Sequence, residues 1–458
     1  MEKANILHSI FVLFGLLLPF VSCQKQQSKN QDTDKKPNII LIYMDDMGYG
    51  DLECYGHPLI KTPHINNLAE NGIKFTSFYA PAAVCTPSRA GLLTGRYPVR
   101  NTPFNFGPES TSGLSPSEVT IAEVLKEAGY KTAAIGKWHL GHLPQFLPTA
   151  QGFDSYYGLP YSNDMILPWC PWLSPEDKLM LYQDTIPVKE IGKNQEKITL
   201  DYSEQAISFI KENKDNPFFL YLAHSMPHLP ISAAKEFQGK SAAGLYGDVI
   251  EMVDWTIGEM LSTLKEIHIE ENTLIIFTSD NGPWHNLPER MLQDGIQSWH
   301  TGSTGMLRGA KATTYEGGLR VPSIMYWPTV IPPGQVNHDI VSVLDIFPTL
   351  VNISSASLPE NIKIDGMDIL PVIEGKEPSP RTSFVYCKEK TVQAIRKKKW
   401  KLRNTAGEGL ELYNLHLDPG EMYNRVEEFP ELVNELLSEM HAFVKETNAD
   451  IYEGKTIN

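Results

Sequence analysis

Cys85 begins a run of residues whose types and spacing fit a nucleophile beside a bound anion. The run reads Cys85-Thr86-Pro87-Ser88-Arg89 and continues, after a short stretch, through Leu93-Thr94-Gly95-Arg96. Proline is tolerated in the first turn of a helix, so a helix is predicted to begin near Cys85. The free N–H groups at that end favour an anion, and Arg89 lies one turn later on the same face. The alternative is that Cys85 is a small buried hydrophobic residue, as most free cysteines are.

Two pairs of oxygen-bearing side chains follow apolar segments of the chain. Asp45 and Asp46 come directly after Asn38–Met44, and Asp280 and Asn281 come directly after 273–279. Continuous apolar runs of this kind are typical of strands buried on both faces of a parallel sheet. Acidic residues at a loop are usually only solvated, but two pairs at equivalent strand ends favour a metal site. The all-oxygen ligand set suits Ca²⁺ or Mg²⁺ rather than Zn²⁺.

Lysine and histidine side chains follow two further predicted strands. Lys137 and His139 come after 131–135, and His228 comes after 218–223. Lys137 and His139 alternate across an extended segment, so both could reach one pocket. On its own, such a segment is usually a surface loop.

The strands alternate with segments of helical spacing, which predicts a doubly wound α/β domain with its ligand site beyond the carboxyl ends of the strands. The helical segments are 117–128, 202–212 and 247–267. A second unit begins near Pro380, with short strands at 396–402 and 410–413 and a helix at 428–444. We interpret the lysine cluster in 396–402 as a solvated strand edge protected by charge, rather than as a substrate patch.

Composition and charge limit the class of protein. The chain has 458 residues, 41% of them hydrophobic, which fits a large α/β core with a smaller appendage. The net charge of −15 argues against nonspecific binding of nucleic acid. An anionic substrate would therefore have to be recognised by a local basic pocket.

The first residues carry signals for export rather than for the fold. An apolar run, 6–21, follows Lys3 and is too short to span a bilayer, so we expect 1–22 to be a signal peptide. The residues before Cys23 resemble a bacterial lipoprotein cleavage site, which predicts lipidation of Cys23; the alternative is plain secretion. Residues 23–36 are polar and predict a flexible tether. The expected location is the periplasm or the outer membrane of a Gram-negative bacterium, with a lipid anchor as the only membrane contact. Three cysteines then remain, and the sequence leaves open whether two of them pair: Cys54, Cys170 and Cys387.

The run at Cys85 resembles the signature of the formylglycine-dependent sulfatase family, in its arylsulfatase A-like and galactosamine-6-sulfatase-like branch. The resemblance extends from Pro37 to Pro419 and includes several further segments: 45–48, 136–141, 224–230, 278–282 and 308–322. It implies an α/β, alkaline-phosphatase-like fold, with a large mixed β-sheet sandwiched by helices and a smaller C-terminal antiparallel-sheet-plus-helix subdomain. The expected domains are 37–379, catalytic, and 380–458, C-terminal.

The resemblance also implies the chemistry of the site. A formylglycine-forming enzyme would oxidise Cys85 to formylglycine, whose hydrate is the nucleophile. One Ca²⁺ ion would be bound by four residues: Asp45, Asp46, Asp280 and Asn281. Arg89, Lys137 and Lys311 would hold the sulfate, His139 would be the base of the second step, and His228 would protonate the leaving oxygen.

The resemblance of 158–164 to a segment that supplies a site serine makes Ser162 a candidate substrate-binding residue, with Asn163 and Asp164 as candidate sugar contacts. Glu316 and Arg320 are interpreted as a buried structural pair. Loop residues that could stack on a sugar ring are Trp169, Trp172, Trp284 and His285.

The implied activity is hydrolysis of carbohydrate sulfate esters, such as fragments of glycosaminoglycans, mucin glycans or algal polysaccharides. The segments 141–146 and 152–164 favour galactose-configured sugars. Two alternatives remain open: a formylglycine-dependent phosphonate or phosphate monoester hydrolase, and an inactive sugar-binding lipoprotein.

Overall fold

The computed structural model describes residues 35–452 of the chain. The predicted signal peptide, 1–22, and the lipidation site Cys23 lie outside the described residues, as does the tether 23–36 except for its last two residues. Lys36 is attached to the fold, because its Nζ donates to the backbone oxygen of Ala128 over 2.7 Å. Within the described part, no helix is both long and apolar enough to cross a membrane. The cysteines of this part are free thiols: Cys54, Cys85, Cys170 and Cys387.

An 11-stranded mixed sheet forms the body of the protein. Its strands are β1 (Asn38–Met44), β2 (Ile73–Tyr79), β3 (Lys131–Gly136), β4 (Ser155–Gly158), β5 (Met180–Gln183), β6 (Ile186–Glu190), β7 (Phe218–Ala223), β8 (Thr273–Ser279), β9 (Arg320–Tyr326), β10 (Gln335–Asn337) and β11 (Val341–Ser342). Their order across the sheet is β10-β2-β9-β8-β1-β7-β3-β4-β5-β6, and β11 also pairs with β2. The central strands β8-β1-β7-β3-β4 are all parallel, whereas β9, β5 and β6 join in antiparallel pairs.

The strands that the sequence predicted to precede site residues are neighbours at the centre of this sheet. Strand β1 pairs in parallel with both β7 and β8, so that Tyr43 lies opposite Ala223 on one side and Thr278 on the other. The carboxyl ends of these strands therefore meet at one edge. The predicted bounds of β1, β7 and β8 agree with the structure, and β3 extends to Gly136.

Helices cover both faces of the sheet. They are α1 (Pro63–Glu70), α2 (Cys85–Thr94), α3 (Ile121–Glu127), α4 (Ile198–Glu212), α5 (Gly244–Glu266), α6 (Glu316–Leu319), α7 (Ile346–Ile353) and α8 (Leu370–Ile373). A further helix, α9 (Pro430–Thr447), belongs to the C-terminal region and is described with it below. Ile40 and Ile42 of β1 pack in one core with residues of α1, α4 and α5. Ile39 and Leu41 pack in a second core with α2, α3, α7 and α8. Burial on both faces explains the continuous apolar run in β1.

The helix starts differ from the predicted ones for local reasons. Helix α3 begins at Ile121 rather than at residue 117, because Thr120 caps it. Thr120 Oγ1 accepts from the Glu123 amide over 3.2 Å, and the Glu123 carboxylate accepts from the Thr120 amide over 2.7 Å. This reciprocal pair is a capping box, and it ends the preceding loop. Helices α4 and α5 begin a few residues before the predicted positions.

A smaller antiparallel sheet follows, with α9 packed against it. Its strands are β12 (Ser383–Lys388), β13 (Thr391–Lys397), β14 (Trp400–Thr405) and β15 (Gly409–Asn414), and the short β16 (Asp450–Ile451) lies parallel to β13. The predicted architecture, a large mixed sheet between helices with a smaller C-terminal sheet-plus-helix subdomain, is confirmed. The predicted strand 396–402 is wrong in one respect, because residues 398 and 399 form the turn between β13 and β14.

The interpretation of the lysine cluster as a solvated strand edge is corrected in part: Lys398 and Lys399 are exposed, but they lie in the turn, and Lys401 is not solvated. Lys401 is fully buried, with its Nζ 3.0 Å from Oε1 of Glu316 and 2.8 Å from Oε1 of Glu421. Strand β14 lies between β13 and β15, so alternate side chains of β14 face the interior. Lys397, near the turn, is partly exposed and pairs with Glu435 of α9 over 2.7 Å.

Glu316 and Arg320 form the buried pair that the sequence predicted. Arg320 Nη1 lies 3.5 Å from Oε2 of Glu316. The hydroxyl groups of Tyr79 and Tyr386 donate to the same carboxylate over 2.6 and 2.7 Å. Because Tyr386 belongs to β12, this cluster joins the main sheet to the C-terminal sheet.

Candidate active site

Four oxygen-bearing side chains meet where β1 and β8 end. Asp45 and Asp46 follow β1, and Asp280 and Asn281 follow β8. The Asp46 amide donates to Oδ1 of Asp280 over 3.1 Å, and Nδ2 of Asn281 donates to Oδ1 of Asp46 over 2.7 Å. Ligand atoms of the three aspartates and of Cys85 all lie within 4.8 Å of one another. The structure thus brings the residues predicted as metal ligands into one cluster.

Two observations show that this cluster fits a cation. The Oδ1 atom of Asn281 is buried and has no hydrogen-bond partner among the described residues. Burial, together with the charge of Asp45, raises the pKa of Asp280 to about 7. Burial also raises the pKa of Asp46, although Lys311 opposes the shift. A divalent cation would coordinate the free amide oxygen and favour the ionised carboxylates, and the all-oxygen donor set matches Ca²⁺.

Lys137 provides the main positive charge next to Asp45. Its Nζ donates to Oδ2 of Asp45 over 2.6 Å and to Oγ of Ser162 over 3.1 Å, and the lysine is fully buried. Burial opposes ionisation of Asp45, but Lys137, followed by His228 and Arg89, holds the pKa of this carboxyl well below its usual range. Ser162, a predicted substrate-binding residue, therefore reaches the cluster as a partner of Lys137.

Arg89 has different contacts from those that the sequence predicted. Its side chain is fully buried, with Nη2 2.8 Å from Oδ2 of Asp280 and 3.6 Å from Oδ1 of Asp45. Its Nη1 donates to the backbone oxygen of Lys137 over 2.8 Å. These contacts direct Arg89 at the carboxylates rather than at a free anion. Arg89 therefore helps to position the side chains of Asp280 and Asp45.

Cys85 is the first residue of α2, as predicted, and its thiol lies among charged groups. The Sγ atom donates to Oδ1 of Asp45 over 3.2 Å and accepts from Nζ of Lys311 over 3.3 Å. A cysteine that only packs in a core would have apolar neighbours instead. Burial raises the pKa of the Cys85 thiol well above its usual value, and Asp280 and Asp45 raise it further. The unmodified side chain is therefore a protonated thiol, which is a weak nucleophile.

Lys311, in the loop before α6, contacts the cluster at Asp46, whereas Lys137 contacts it at Asp45. The Nζ atom of Lys311 is 2.6 Å from Oδ1 of Asp46 and 5.1 Å from the ring centroid of Trp284. Burial alone would lower the pKa of Lys311, but Asp46 and Cys85 raise it, so the amine stays charged. Its side chain is 10% exposed, which makes it the more accessible of the two lysines.

His228 presents one ring nitrogen to the cluster. Its Nδ1 lies 2.6 Å from the backbone oxygen of Leu229 and 3.1 Å from Oδ1 of Asn163. A carbonyl oxygen only accepts, so Nδ1 carries a proton and Nε2, 3.7 Å from Oδ2 of Asp46, is the atom available for proton transfer. Burial lowers the pKa of His228 well below its usual value, and Lys311 lowers it further.

Asn163 lies behind His228, and its predicted role as a sugar contact is corrected. It is fully buried, and its Nδ2 donates to Oε1 of Gln195 over 2.9 Å and to the backbone oxygen of Pro230 over 3.1 Å. The side-chain amide of Asn163 thus holds the loop of His228, through Nδ2 at Pro230 and Oδ1 at His228. Gln195 carries no motif, so sequence reasoning missed it.

Asp164 contacts another residue that sequence reasoning missed. Its Oδ2 lies 3.4 Å from Nη1 of Arg290, a residue in the loop between Asn281 and Lys311. Of the loop tryptophans considered from the sequence, Trp169 is buried and Trp172 is exposed. No motif marks Arg290, and only its position downstream of Asp280 could have drawn attention to it.

His139 is held in a strained conformation with one free ring nitrogen. Its φ of +60° is in the left-handed region, and its backbone is fixed by Thr86 Oγ1, which donates to its oxygen over 2.8 Å. The Nε2 atom donates to the backbone oxygen of Phe106 over 2.8 Å, whereas Nδ1 is buried without a partner among residues 35–452. Burial, followed by Lys137, lowers the pKa of His139 well below its usual value. The neutral imidazole can therefore accept a proton at Nδ1.

The fold and the site define an enzyme of the alkaline-phosphatase-like class, with its reacting groups at the carboxyl edge of the sheet. Comparison with family models identifies the family. The model described as Sulfatase matches residues 37–355, and the model described as N-sulphoglucosamine sulphohydrolase, C-terminal, matches residues 309–449. The chain belongs to the sulfatase family, and it is a sulfuric ester hydrolase.

Two curated relatives cover most of the chain. N-acetylgalactosamine-6-sulfatase from Canis lupus familiaris is 38% identical over 367 residues, which are 76% of this chain and 68% of the relative. Arylsulfatase A from Homo sapiens is 38% identical over 435 residues, which are 85% of this chain and 83% of the relative. The predicted resemblance to these two branches of the family is confirmed.

Solved structures show the same fold. One, from work on the metabolism of glycosaminoglycans by Bacteroides thetaiotaomicron, has a TM-score of 0.76 and 32% identity, and covers 89% of this chain and 99% of that chain. A complex of Ps i-CgsB with k-i-k-neocarrahexaose has a TM-score of 0.77 and 32% identity, with coverage of 89% and 93%. A phosphonate monoester hydrolase of Agrobacterium radiobacter, at 21% identity and a TM-score of 0.63, shares the fold over 90% of this chain and 96% of that chain.

Proposed function

We propose that this sulfatase hydrolyses sulfate esters of carbohydrates with a formylglycine derived from Cys85 and one Ca²⁺ ion. The surroundings of the Cys85 Sγ atom carry this proposal. The atom lies within 3.3 Å of both the Asp45 carboxylate and the Lys311 amine, yet the same surroundings keep a thiol protonated. Such a position favours a nucleophile other than a thiol. The residues that would hold the ion are Asp45, Asp46, Asp280 and Asn281.

The two groups that the chain must acquire supply different parts of the chemistry. As its hydrate, formylglycine supplies a hydroxyl group for attack on sulfur, so no water has to reach the sulfur atom. A bound calcium ion would supply positive charge at the site and would lower the pKa of that hydroxyl. Lys137 and Lys311 hold the negative charge that develops on the sulfate oxygens, which is usually the largest contribution in such sites.

Two histidines transfer protons: His228 in the step that releases the alcohol, and His139 in the step that follows. His228 donates a proton from Nε2 to the leaving alcohol oxygen, while Leu229 and Asn163 keep its Nδ1 protonated. A bound sulfate partly cancels the charge of Lys311, which favours protonation of Nε2 when substrate is present. In the second step, His139 would accept at Nδ1 the proton of the remaining hydroxyl of the hydrate, so that the aldehyde re-forms and sulfate leaves; its Nε2 is occupied by the backbone oxygen of Phe106.

The relatives support a carbohydrate substrate. One is named N-acetylgalactosamine-6-sulfatase, and one solved neighbour is a complex with k-i-k-neocarrahexaose. We therefore propose a galactose-configured sulfated sugar, from a glycosaminoglycan, a mucin glycan or an algal polysaccharide.

Export and lipid anchoring are part of the same proposal. The signal-like residues 1–22 and the candidate lipidation site Cys23 support an enzyme anchored in the periplasm or on the outer membrane of a Gram-negative bacterium. A formylglycine-forming enzyme is the partner that modification of Cys85 requires. Replacing Cys23 with alanine should move the enzyme from the membrane fraction to the soluble fraction.

Hydrolysis of phosphonate or phosphate monoesters is the second candidate, because phosphate is also a tetrahedral anion. This candidate is supported only by the similarity of fold to the phosphonate monoester hydrolase. A catalytically silent sugar-binding protein is disfavoured, because every residue that the proposed chemistry needs is present in the chain.

The test is release of free sulfate by residues 37–458, co-expressed with a formylglycine-forming enzyme. The panel contains the sulfates of galactose, N-acetylgalactosamine and N-acetylglucosamine, with the matched phosphates. We expect sulfate from one positional isomer, and no turnover by a folded Cys85→Ala variant. Release of phosphate alone, or activity that survives Cys85→Ala, would overturn the proposal. Mass spectrometry of the peptide that contains residue 85 reports the modification independently.

A further inference from the structure

Arg290 is held at the rim of the active site by two loops. Its guanidinium carbon lies 5.2 Å from the ring centroid of Trp172 and 5.8 Å from that of Trp284. Its Nη1 donates to the backbone oxygen of Trp169 and lies 3.4 Å from Oδ2 of Asp164. The side chain is nevertheless 25% exposed, so the guanidinium is oriented but not enclosed.

Trp284 connects Arg290 to the reacting groups. The ring centroid of Trp284 lies 5.6 Å from that of His228 and 5.1 Å from Nζ of Lys311. Arg290 and Lys311 therefore contact the same indole, and Lys311 contacts Sγ of Cys85. Arg290 is one aromatic ring away from the proposed sulfate site, on the side of His228, where the leaving group must lie.

The free edge of the guanidinium defines the chemistry of a ligand. Only Nη1 of Arg290 donates a hydrogen bond to the described residues, so Nε and Nη2 have no acceptor among them. These two donors form a fork that matches a carboxylate or a sulfate in a bidentate pair. Trp172, which is 59% exposed, adds an apolar face that suits a sugar ring.

We propose that Arg290 binds a second anionic group of the substrate, a carboxylate or a further sulfate, on the leaving-group side of the scissile ester. This inference rests on the proposed carbohydrate sulfatase function and narrows its substrate to sugars with two or more negative charges. A chain of net charge −15 would then bind a polyanion through local cations that contact the substrate. If Arg290 only fastened the loops to each other, its replacement would weaken all ligands equally.

The test measures binding to a Cys85→Ala variant, which cannot be modified and does not turn the ligand over. Three ligands are titrated calorimetrically: the 6-sulfated chondroitin disaccharide, the methyl ester of its uronate, and the methyl ester of the 4,6-disulfated disaccharide. Compared with the monosulfated ester, the first ligand adds a carboxylate and the third adds a sulfate. We expect one or both to bind about 10- to 100-fold more tightly than the monosulfated ester, the range of a hydrogen-bonded charge pair.

When Arg290→Gln is added to the Cys85→Ala variant, the affinity for the more highly charged ligand should exceed that for the monosulfated ester by less than about 3-fold. The control Arg425→Gln should leave this ratio of affinities unchanged. Arg425 is a partly exposed arginine of the C-terminal region that pairs with Glu428. Equal binding of the three ligands, a ratio that survives Arg290→Gln, or no binding of any ligand would overturn the inference. Sulfate release by the modified enzyme is scored separately. A charge preference that depends on Arg290 without any turnover refutes only the proposed function, and turnover without the preference refutes only the role of Arg290.

Discussion

Lys401, on an inner strand of the C-terminal sheet, places its Nζ 3.0 Å from Oε1 of Glu316, the first residue after the loop that carries Lys311. The same Nζ lies 2.8 Å from Oε1 of Glu421, whose Oε2 accepts from the Glu316 amide over 2.7 Å. All three side chains are fully buried. The C-terminal subdomain thus fixes the end of a loop that belongs to the active site.

We expect Lys401→Met to destabilise the fold and to lower activity. The substitution keeps the volume but leaves two buried carboxylates without their ammonium partner, which costs about 3–5 kcal/mol. Urea unfolding measures the loss. The control is Lys397→Met, which removes a partly exposed lysine of the same cluster and should cost less than about 1 kcal/mol. Equal losses in the two variants would contradict the assignment.

The Glu316 cluster should make stability depend on acid pH. Burial alone would raise the pKa of Glu316, but Lys401 and Arg320 hold it at about 2, below its usual value of 4.5. A depressed pKa contributes stability that is present above about 4.5 and is lost as the pH falls towards 2. The difference between these two pKa values corresponds to about 3 kcal/mol in the free energy of unfolding. Denaturant unfolding at a series of pH values should therefore show a shallower acid loss in Glu316→Gln than in the wild type, and parallel curves would contradict this prediction.

Calcium should stabilise the folded enzyme independently of catalysis. At a free concentration 100-fold above its Kd, bound Ca²⁺ adds about 2.7 kcal/mol to the free energy of unfolding. Asn281→Ala removes the free Oδ1 ligand, so its calcium-dependent rise in Tm should be smaller than that of Cys85→Ala, which keeps all four ligands. Differential scanning calorimetry with calcium and with a chelator measures both. Identical responses would argue against Asn281 as a ligand.

His228 should matter most for substrates with poor leaving groups. A general acid contributes about 10²–10⁴-fold when the leaving oxygen is basic, as in a sugar alcohol. We expect His228→Gln to lose kcat/KM in that range on sugar sulfates and far less on aryl sulfates with acidic phenols. A loss that is equal across a series of leaving groups would exclude His228 as the proton donor.

Asn163→Ala tests whether proton transfer by His228 requires the contact between Asn163 and the Nδ1 atom of His228. The substitution removes the Oδ1 that lies 3.1 Å from His228 Nδ1, together with the contacts to Gln195 and Pro230. We expect it to lower kcat on sugar sulfates by about 10-fold with little change on activated aryl sulfates, in the same pattern as His228→Gln but weaker. An increase in KM with unchanged kcat would instead indicate direct contact with substrate.

Local patterns in the sequence were sufficient for much of the fold. The apolar runs of β1, β7 and β8 predicted their bounds, because strands buried on both faces must be apolar throughout. Helix starts were less accurate, since the cap at Thr120 depends on a pair of reciprocal hydrogen bonds rather than on periodicity. Lys401 was misjudged because a lysine-rich segment is usually solvated, and only the position of β14 between two strands shows that this side chain is buried.

The sequence by itself determined the family, because the types and order of side chains such as Cys85, Asp280 and His228 are sufficient to identify it. The tertiary structure decided what each of them contacts. It directed Arg89 at carboxylates instead of an anion, placed Asn163 behind His228, and set Arg290 at the rim of the site. These contacts join residues far apart in the chain, and they arise from the packing of parallel strands and loops, which no local pattern encodes.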